Sequence, residues 1–146
     1  MTKREIIKFI DGRAIVMLGT LDHGAPAMRA LINIRNEKIA PHLKDYFAHN
    51  DRLLMITNTS SDKIGQIRAN GAAALYCYDD AFSGLMLSGA VREVSDAATR
   101  DALWDDSWKM YYPDGKDGGD FSVLEFTPES YKSYGNFTVT KGPLEW

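Results

Sequence analysis

Short apolar runs separated by turn residues dominate this chain, and that pattern is typical of β-strands. Some runs alternate apolar and polar positions, as from Pro26 to Ile34, which indicates a strand with two different faces. Others are continuously apolar, as from Leu53 to Thr57, which indicates a buried strand. The pattern predicts six strands, at residues 14–21, 26–34, 53–57, 72–78, 85–94 and 121–126.

Helical patterns lie between some of these strands. Helices are predicted from the Thr2–Glu5 capping box to Gly12, from Pro41 to Asn50, from Lys63 to Ala69, and from Ser95 or Asp96 to Pro113. The connections between strands are mostly too short for parallel crossovers, so antiparallel pairing is favoured. We therefore predict a mainly β fold, a six-stranded antiparallel barrel with peripheral helices, formed by residues 1–146 as one domain.

Composition narrows the choice of partners and of compartment. The net charge of −3 and the pI of about 5.6 argue against nucleic acid or anionic lipid as the main partner. The single cysteine, Cys77, lies in an apolar run, excludes an internal disulfide and suits a reducing compartment. No segment resembles a signal peptide or a membrane span, so we expect a cytoplasmic protein.

The segment from Leu53 to Lys63, LLMITNTSSDK, carries the clearest candidate chemistry. A buried strand delivers hydroxyl and amide side chains to the start of a helix, where backbone N–H groups are free and the helix dipole is positive. One interpretation is a phosphate held by Thr57, Asn58, Thr59, Ser61 and Lys63. The other is an ordinary helix cap at Ser60 or Ser61 with Lys63 in solvent.

Two motifs resemble the pyridoxamine 5'-phosphate oxidase-like family of FMN-binding split barrels over residues 6–134. The segment TNTSSDK, Thr57 to Lys63, resembles the flavin-phosphate motif of that family, and it follows an arginine on an earlier strand, Arg29 in MRAL. The stretch from Leu103 to Pro128 resembles the general-stress-protein branch, with its Leu-Trp pair, its aromatic-Pro-x-Gly loop and its final strand ending at a proline.

The resemblance implies FMN as cofactor, bound at the interface of a homodimer. It makes Arg29 and Lys63 the phosphate cations and Thr57 and Ser61 hydroxyl donors. The backbone of Ala30, Leu31 and Ile32 would lie along the isoalloxazine, and Ile56 and Asn58 complete the expected cofactor-binding set. We expect Arg29 on a wet strand face and Met28 and Ala30 on the core face. Tyr131, Tyr134 and the Trp104 helix are the expected dimer contacts.

The chain also departs from the oxidase pattern. It has no Arg-x-His segment, it has Gly84 or Leu85 where the oxidase has a flavin-contacting glutamine, and Asp62 replaces a second basic residue. We therefore expect a flavoprotein that transfers electrons or hydride from a reduced nicotinamide to a small aromatic acceptor, and not a true pyridoxamine-phosphate oxidase. The alternatives are a non-catalytic flavin-binding stress protein and a cofactor-free barrel for another small ligand.

Three further groups of side chains are candidates for a function. His42, Asp45 and His49 share a helix face, but this spacing cannot close a metal site, so we expect solvated side chains and no metal. The aromatic residues from Trp104 to Tyr112 could stack on a flavin, although helical spacing favours core or interface positions. The aspartates of the 105–106 and 117–120 segments are expected to be solvated surface residues. We assign no catalytic side chain.

Overall fold

The computed structural model describes residues 1–146, and seven strands, four α-helices and two short 3₁₀ helices make up the fold. The strands are β1 Ile15–Asp22, β2 Ala25–Ile32, β3 Leu53–Asn58, β4 Ala72–Tyr78, β5 Gly84–Val94, β6 Phe121–Gly135 and β7 Thr138–Pro143. The α-helices are α1 Lys3–Asp11, α2 Lys44–Ala48, α3 Asp62–Ala69 and α4 Ala97–Leu103. The 3₁₀ helices are Pro41–Leu43 and Asp106–Met110. No helix has the length and apolar character needed to cross a membrane.

All strand pairs are antiparallel, in the order β2-β1-β4-β5-β6-β3, with β7 also paired to β6. The β1–β2 hairpin turns at His23 and Gly24, both with positive φ, as the Asp-His-Gly signal predicted. The two ends of the path, β2 and β3, contact each other without hydrogen-bonded pairing. The mainly β, antiparallel split barrel with peripheral helices is thus confirmed.

The strand count is seven where six were predicted, because Pro128 does not end β6. That strand runs on to Gly135 and then pairs with β7, which was missed. The register between β5 and β6 shifts at Ser88 and Gly89, opposite Pro128, which has no N–H to donate to a neighbour. A Cβ on Gly89 would lie 2.1 Å from the Thr127 carbonyl oxygen, so glycine is what lets the bulge close at this point.

The sheet separates two apolar cores, and β3 is buried on both faces. Leu53 and Met55 belong to the barrel core, together with Leu18, Leu85, Leu124 and Phe126. Leu54 and Ile56 belong to a second core under the helices, together with Trp108, Tyr112 and Phe121. Cys77 is buried in the barrel core, and burial raises the pKa of its thiol to about 12.

The predicted helix through Trp104, Trp108 and Tyr112 is broken in two. The first part, α4, ends at Leu103, and the Asp105 carboxylate accepts the Ser107 N–H to start a separate 3₁₀ helix. Trp108 and Tyr112 nevertheless lie in the second core, 5% and 3% exposed. They are core residues of the protomer, one of the two positions that their spacing favoured, and the dimer contact expected of the Trp104 segment stays a prediction.

The segment between β2 and β3 is held by buried polar side chains. Strand β2 ends at Ile32, two residues earlier than predicted, because the Asn33 amide leaves the sheet and donates to the carbonyls of Ile10 and Arg13. The Arg35 guanidinium, 2% exposed, pairs with Asp11 at 2.6 Å and donates to the carbonyls of Asn50 and Arg52. These contacts fix the entry into β3, the strand that carries Thr57.

Candidate functional site

The connection from β3 into α3, Thr57 to Lys63, is called the phosphate loop below. Within it, Lys63 Nζ donates to Thr57 Oγ1 at 2.8 Å and to Ser61 Oγ at 2.7 Å. Lys63 is only 9% exposed, and it forms no salt bridge. The solvated-lysine interpretation is therefore wrong, and Ser61 at the cap position of α3 makes no capping hydrogen bond with its side chain.

Arg29 lies on the inner face of β2, beside the same helix. One guanidinium nitrogen donates to Thr20 Oγ1 at 2.7 Å and to the Leu18 carbonyl, and the other donates to Gln66 Oε1 at 2.8 Å. Our assignment of the strand faces was wrong: Met28 is 69% exposed, whereas Leu31, on the side of Arg29, packs against the barrel core. A strand whose polar residue faces inward is hard to recognise from alternation alone.

Arg29 and Lys63 form a pair of partly buried cations without an acidic partner. Burial lowers the pKa of Lys63 and the Arg29 charge lowers it further, while Asp62 opposes the shift. Burial also lowers the pKa of Arg29. Two such cations beside the N-terminus of a helix suit an anion that carries more than one negative charge, such as a phosphate monoester.

A cavity of about 240 Å³ opens beside this cation pair. Its wall contains seven of the nine predicted cofactor-binding residues, namely Ala30, Leu31, Ile32, Ile56, Thr57, Asn58 and Lys63. The remaining two, Arg29 and Ser61, do not line the cavity but lie close to Lys63. Ser61 Oγ accepts a hydrogen bond from Lys63 Nζ, and the positive charge of Arg29 lowers the pKa of Lys63. The structure thus brings the predicted residues together at one place.

Two aromatic residues complete the cavity wall, Tyr111 and Tyr112. Tyr112 is buried, and burial with the nearby Asp120 charge raises the pKa of its phenol. Tyr111 is 48% exposed and can present its ring to a ligand. The sequence alone does not show which of these aromatic residues lines the cavity and which packs in the core, because the helix break at Trp104 changes which side chains share a face.

Asp120 belongs to the site and was wrongly assigned to solvated surface. Its carboxylate accepts the Asn58 amide at 2.6 Å and the Ser60 N–H at 2.9 Å, and its carbonyl accepts the Thr59 N–H at 2.8 Å. These hydrogen bonds hold the pKa of Asp120 below its usual range. No local signal could have found them, since the partners lie about sixty residues apart in sequence.

Other clefts, of about 610, 580, 450 and 370 Å³, are larger than the cavity, and the two largest are poorer candidates. The first is lined mainly by polar and charged side chains and includes Arg35, which Asp11 already neutralises. The second runs between the β1–β2 turn and α3, with the carboxylates of Asp22 and Asp62 on its walls. Size alone therefore does not identify the site, whereas a buried lysine beside a partly buried arginine, both without an acidic partner, does.

The His42 group is not arranged as a metal site. No cluster of three or more histidine, cysteine or acidic side chains could hold a metal ion. His42 Nε2 lies 2.9 Å from the Leu103 carbonyl, and its ring meets Trp108 edge to face. His42, Asp45 and His49 are all exposed, so the solvated helix face that the sequence predicted is confirmed.

Comparison with known proteins places this geometry in a family. The family model for pyridoxamine 5'-phosphate oxidase matches residues 2–135. A comparison with curated proteins finds no significant match. Among solved structures, a Clostridium acetobutylicum protein related to general stress protein 26 of B. subtilis is 28% identical, with a TM-score of 0.76, covering 97% of this chain and 94% of that one.

Two further solved structures share the fold at lower identity. General stress protein 26 from Bacillus anthracis is 16% identical, with a TM-score of 0.73, covering 97% of this chain and 98% of that one. A NimC/NimA family protein from Clostridium acetobutylicum is 15% identical, with a TM-score of 0.72, covering 97% of this chain and 92% of that one. The chain therefore belongs to the pyridoxamine 5'-phosphate oxidase-like family of FMN-binding split barrels.

Proposed function

We propose that this protein binds FMN, with the phosphate at Arg29 and Lys63 and the ring along the cavity wall. The cation pair supports the proposal best, because Lys63 is buried among neutral hydroxyls and neither cation has an acidic partner. Arg29 can bind a phosphate bidentately, and Lys63 adds a point charge. The hydroxyls of Thr57 and Ser61, now accepting from Lys63, can turn to donate to phosphate oxygens.

The reaction class that fits is electron or hydride transfer to a small aromatic acceptor, with a reduced nicotinamide as donor. Bound FMN supplies the redox chemistry, and the chain supplies binding, orientation and solvent access. Lys63 is the only cationic side chain on the cavity wall, so a second phosphorylated ligand such as pyridoxamine 5'-phosphate would find no cation of its own. The exposed ring of Tyr111 suits a flat, weakly polar molecule.

A homodimer is part of this proposal. The cavity of about 240 Å³ is smaller than the roughly 300–1,000 Å³ typical of small-molecule pockets, so one protomer alone would leave much of a flavin uncovered. The cavity residue Ala30 adjoins an exposed apolar sheet surface, the outer sheet face, which also carries Met28, Met17, Tyr76, Tyr78, Met86 and Tyr134. A second copy on this face would cover both.

A non-catalytic flavin-binding protein is the second candidate. The cavity wall carries no histidine, cysteine or carboxylate, and its ionisable groups are Lys63, which we assign to the phosphate, and the phenols of Tyr111 and Tyr112. Two of the similar solved proteins are described as general stress protein 26 or a relative of it, and the term general stress protein states no reaction.

Titration of the apoprotein with FMN and with riboflavin tests the cofactor assignment. FMN should bind much more tightly, because riboflavin offers the cations no charge. Equal affinities, or no binding of either, would contradict it. The reconstituted protein is then mixed with reduced nicotinamide and either a quinone or a nitroaromatic compound. Turnover supports the oxidoreductase, flavin binding without reduction supports the second candidate, and production of pyridoxal 5'-phosphate at an oxidase-like rate overturns the proposed acceptor class.

A further inference from the structure

Asp120 is hydrogen bonded to three consecutive residues of the phosphate loop. One carboxylate oxygen accepts the Asn58 amide, the other accepts the Ser60 N–H, and the main-chain carbonyl accepts the Thr59 N–H. The loop has little regular structure of its own between the end of β3 and the start of α3. Its shape therefore depends on the residue that precedes β6.

The Asn58 amide also reaches the aromatic wall. Asn58 Nδ2 donates to the Tyr111 carbonyl at 3.3 Å as well as to Asp120 Oδ2. Both partners are acceptors only, so the nitrogen of the amide must face them. Asp120, Asn58 and Tyr111 thus form one chain of contacts between the loop that carries Ser61 and Lys63 and the wall that carries the two tyrosines.

We propose that Asp120 is a positioning residue for the flavin site, which holds the phosphate loop and the Tyr111–Tyr112 wall in one arrangement. This inference rests on the proposed function. A carboxylate has the wrong charge to contact a phosphate, so Asp120 acts through Asn58 and Ser60. Both parts of the site then depend on Asp120: the loop with the lysine that binds the phosphate, and the tyrosine part of the cavity wall, along which the isoalloxazine lies.

Asp120→Asn tests this with little change of shape. A single amide oxygen can still accept from Ser60, but the amide nitrogen then faces the Asn58 nitrogen, and the branch to Tyr111 is lost. We expect FMN and riboflavin both to bind about tenfold more weakly, the loss typical of a charge-assisted hydrogen bond. Removal of a negative charge would by itself favour FMN, so a loss of FMN affinity can only come from positioning.

Three comparisons sharpen the test. Asp117, like Asp120, lies in the loop that precedes β6, but its side chain makes no hydrogen bond. Asp117→Asn should therefore leave the affinities for FMN and riboflavin unchanged. Lys63→Met should weaken FMN binding and spare riboflavin binding, unlike Asp120→Asn. The double variant of Asn58→Ala with Asp120→Asn should lose no more affinity than the worse single variant, since both break one chain of contacts.

Thermal unfolding of each apoprotein shows whether it is folded at the titration temperature. If Asp120→Asn is unfolded at that temperature, Asn58→Ala alone tests the positioning role. Unchanged affinities in Asp120→Asn, a loss confined to FMN, or additive losses in the double variant would each overturn the positioning role. Failure of the unmodified protein to bind FMN would instead overturn the proposed function itself.

Discussion

Lys63 is the residue on which the phosphate assignment depends most. Lys63→Met keeps the apolar stem in its buried place and removes the charge. We expect FMN affinity to fall by roughly one to two decades, which corresponds to about 1.5–3 kcal/mol for a hydrogen bond to a charged group. Riboflavin affinity should hardly change, as calorimetry can show.

Lys8→Met is the matched control for this variant, because Lys8 lies exposed on α1, away from the cavity, and makes no salt bridge. It should leave both affinities unchanged. Equal losses for FMN and riboflavin in Lys63→Met would show that the lysine supports the cavity rather than the phosphate.

The lowered pKa of Lys63 predicts how the affinity for FMN depends on pH. Burial and the charge of Arg29 lower the pKa of Lys63 in the apoprotein, while Asp62 opposes them. Phosphate binds the ammonium form, so FMN affinity should decline as the pH rises through that lowered pKa, at a pH where an ordinary lysine is still charged. Calorimetry between neutral pH and the ordinary lysine pKa measures this, with Arg29 remaining charged throughout.

In Lys63→Met the decline should vanish, and riboflavin binding should show none in either protein. A decline that persists in Lys63→Met would assign the titration to another group.

The residues of the site differ in how visible they are in the sequence. Thr57, Ser61 and Lys63 lie within one strand-to-helix connection, so their meeting follows from local structure. Arg29 could be named only through resemblance to a family, and its partners Thr20 and Gln66 come from two other elements. Asp120 lay within an acidic, glycine-rich stretch that is typical of solvent loops. The order of residue types along the chain does not reveal contacts between distant segments.

At the scale of elements, regular strands were predicted well and irregular ones were not. Strand β4 matches its predicted range, 72–78, because a clean apolar run lies between a glycine and an aspartate pair. Strand β6 was cut short at Pro128, since a proline within a run usually marks a strand end. The bulge at Glu129 of β6, opposite Ser88 and Gly89 on the neighbouring strand, is what allows pairing to continue past that proline, and the apolar pattern of β6 does not announce it.

Gly89 should therefore be far less replaceable than a glycine with open space around it. In Gly89→Ala the new methyl would meet the Thr127 carbonyl oxygen at 2.1 Å, which is main chain and cannot move aside alone. We expect a loss of roughly 1–3 kcal/mol in the free energy of unfolding, the range seen for overpacking. Urea unfolding of the apoprotein measures it.

Gly65→Ala is the matched control, because no atom lies within 4 Å of a Cβ built there, inside α3. It should stabilise the protein by up to about 1 kcal/mol through helix propensity. Comparable losses in the two variants would refute the explanation by the bulge.

At the scale of the whole molecule, the outer sheet face is the candidate dimer interface. Met28, Tyr78 and Tyr134 are 69%, 59% and 44% exposed and lie on β2, β4 and β6. Met17 on β1 and Met86 on β5 lie between them on the same face and complete one apolar surface. Monomeric proteins seldom leave contiguous apolar patches of more than a few hundred Å² in solvent. A twofold interface would place this surface against its own copy, next to the cavity at Ala30.

Met86→Glu tests the dimer at the centre of that face. Met86 lies directly across from Lys132 on β6, so a glutamate gains an opposite charge there and should not unfold the protomer. In a dimer it would bury a carboxylate at an apolar contact, which is costly. We expect light scattering to give twice 16.3 kDa for the unmodified protein and 16.3 kDa for Met86→Glu, with weaker FMN binding in the variant.

Met110→Glu, at a 75% exposed position off this face, should remain dimeric. A concentration-independent mass of 16.3 kDa for the unmodified protein with flavin bound would rule the dimer out, whereas a dimeric Met86→Glu would move the interface to another surface.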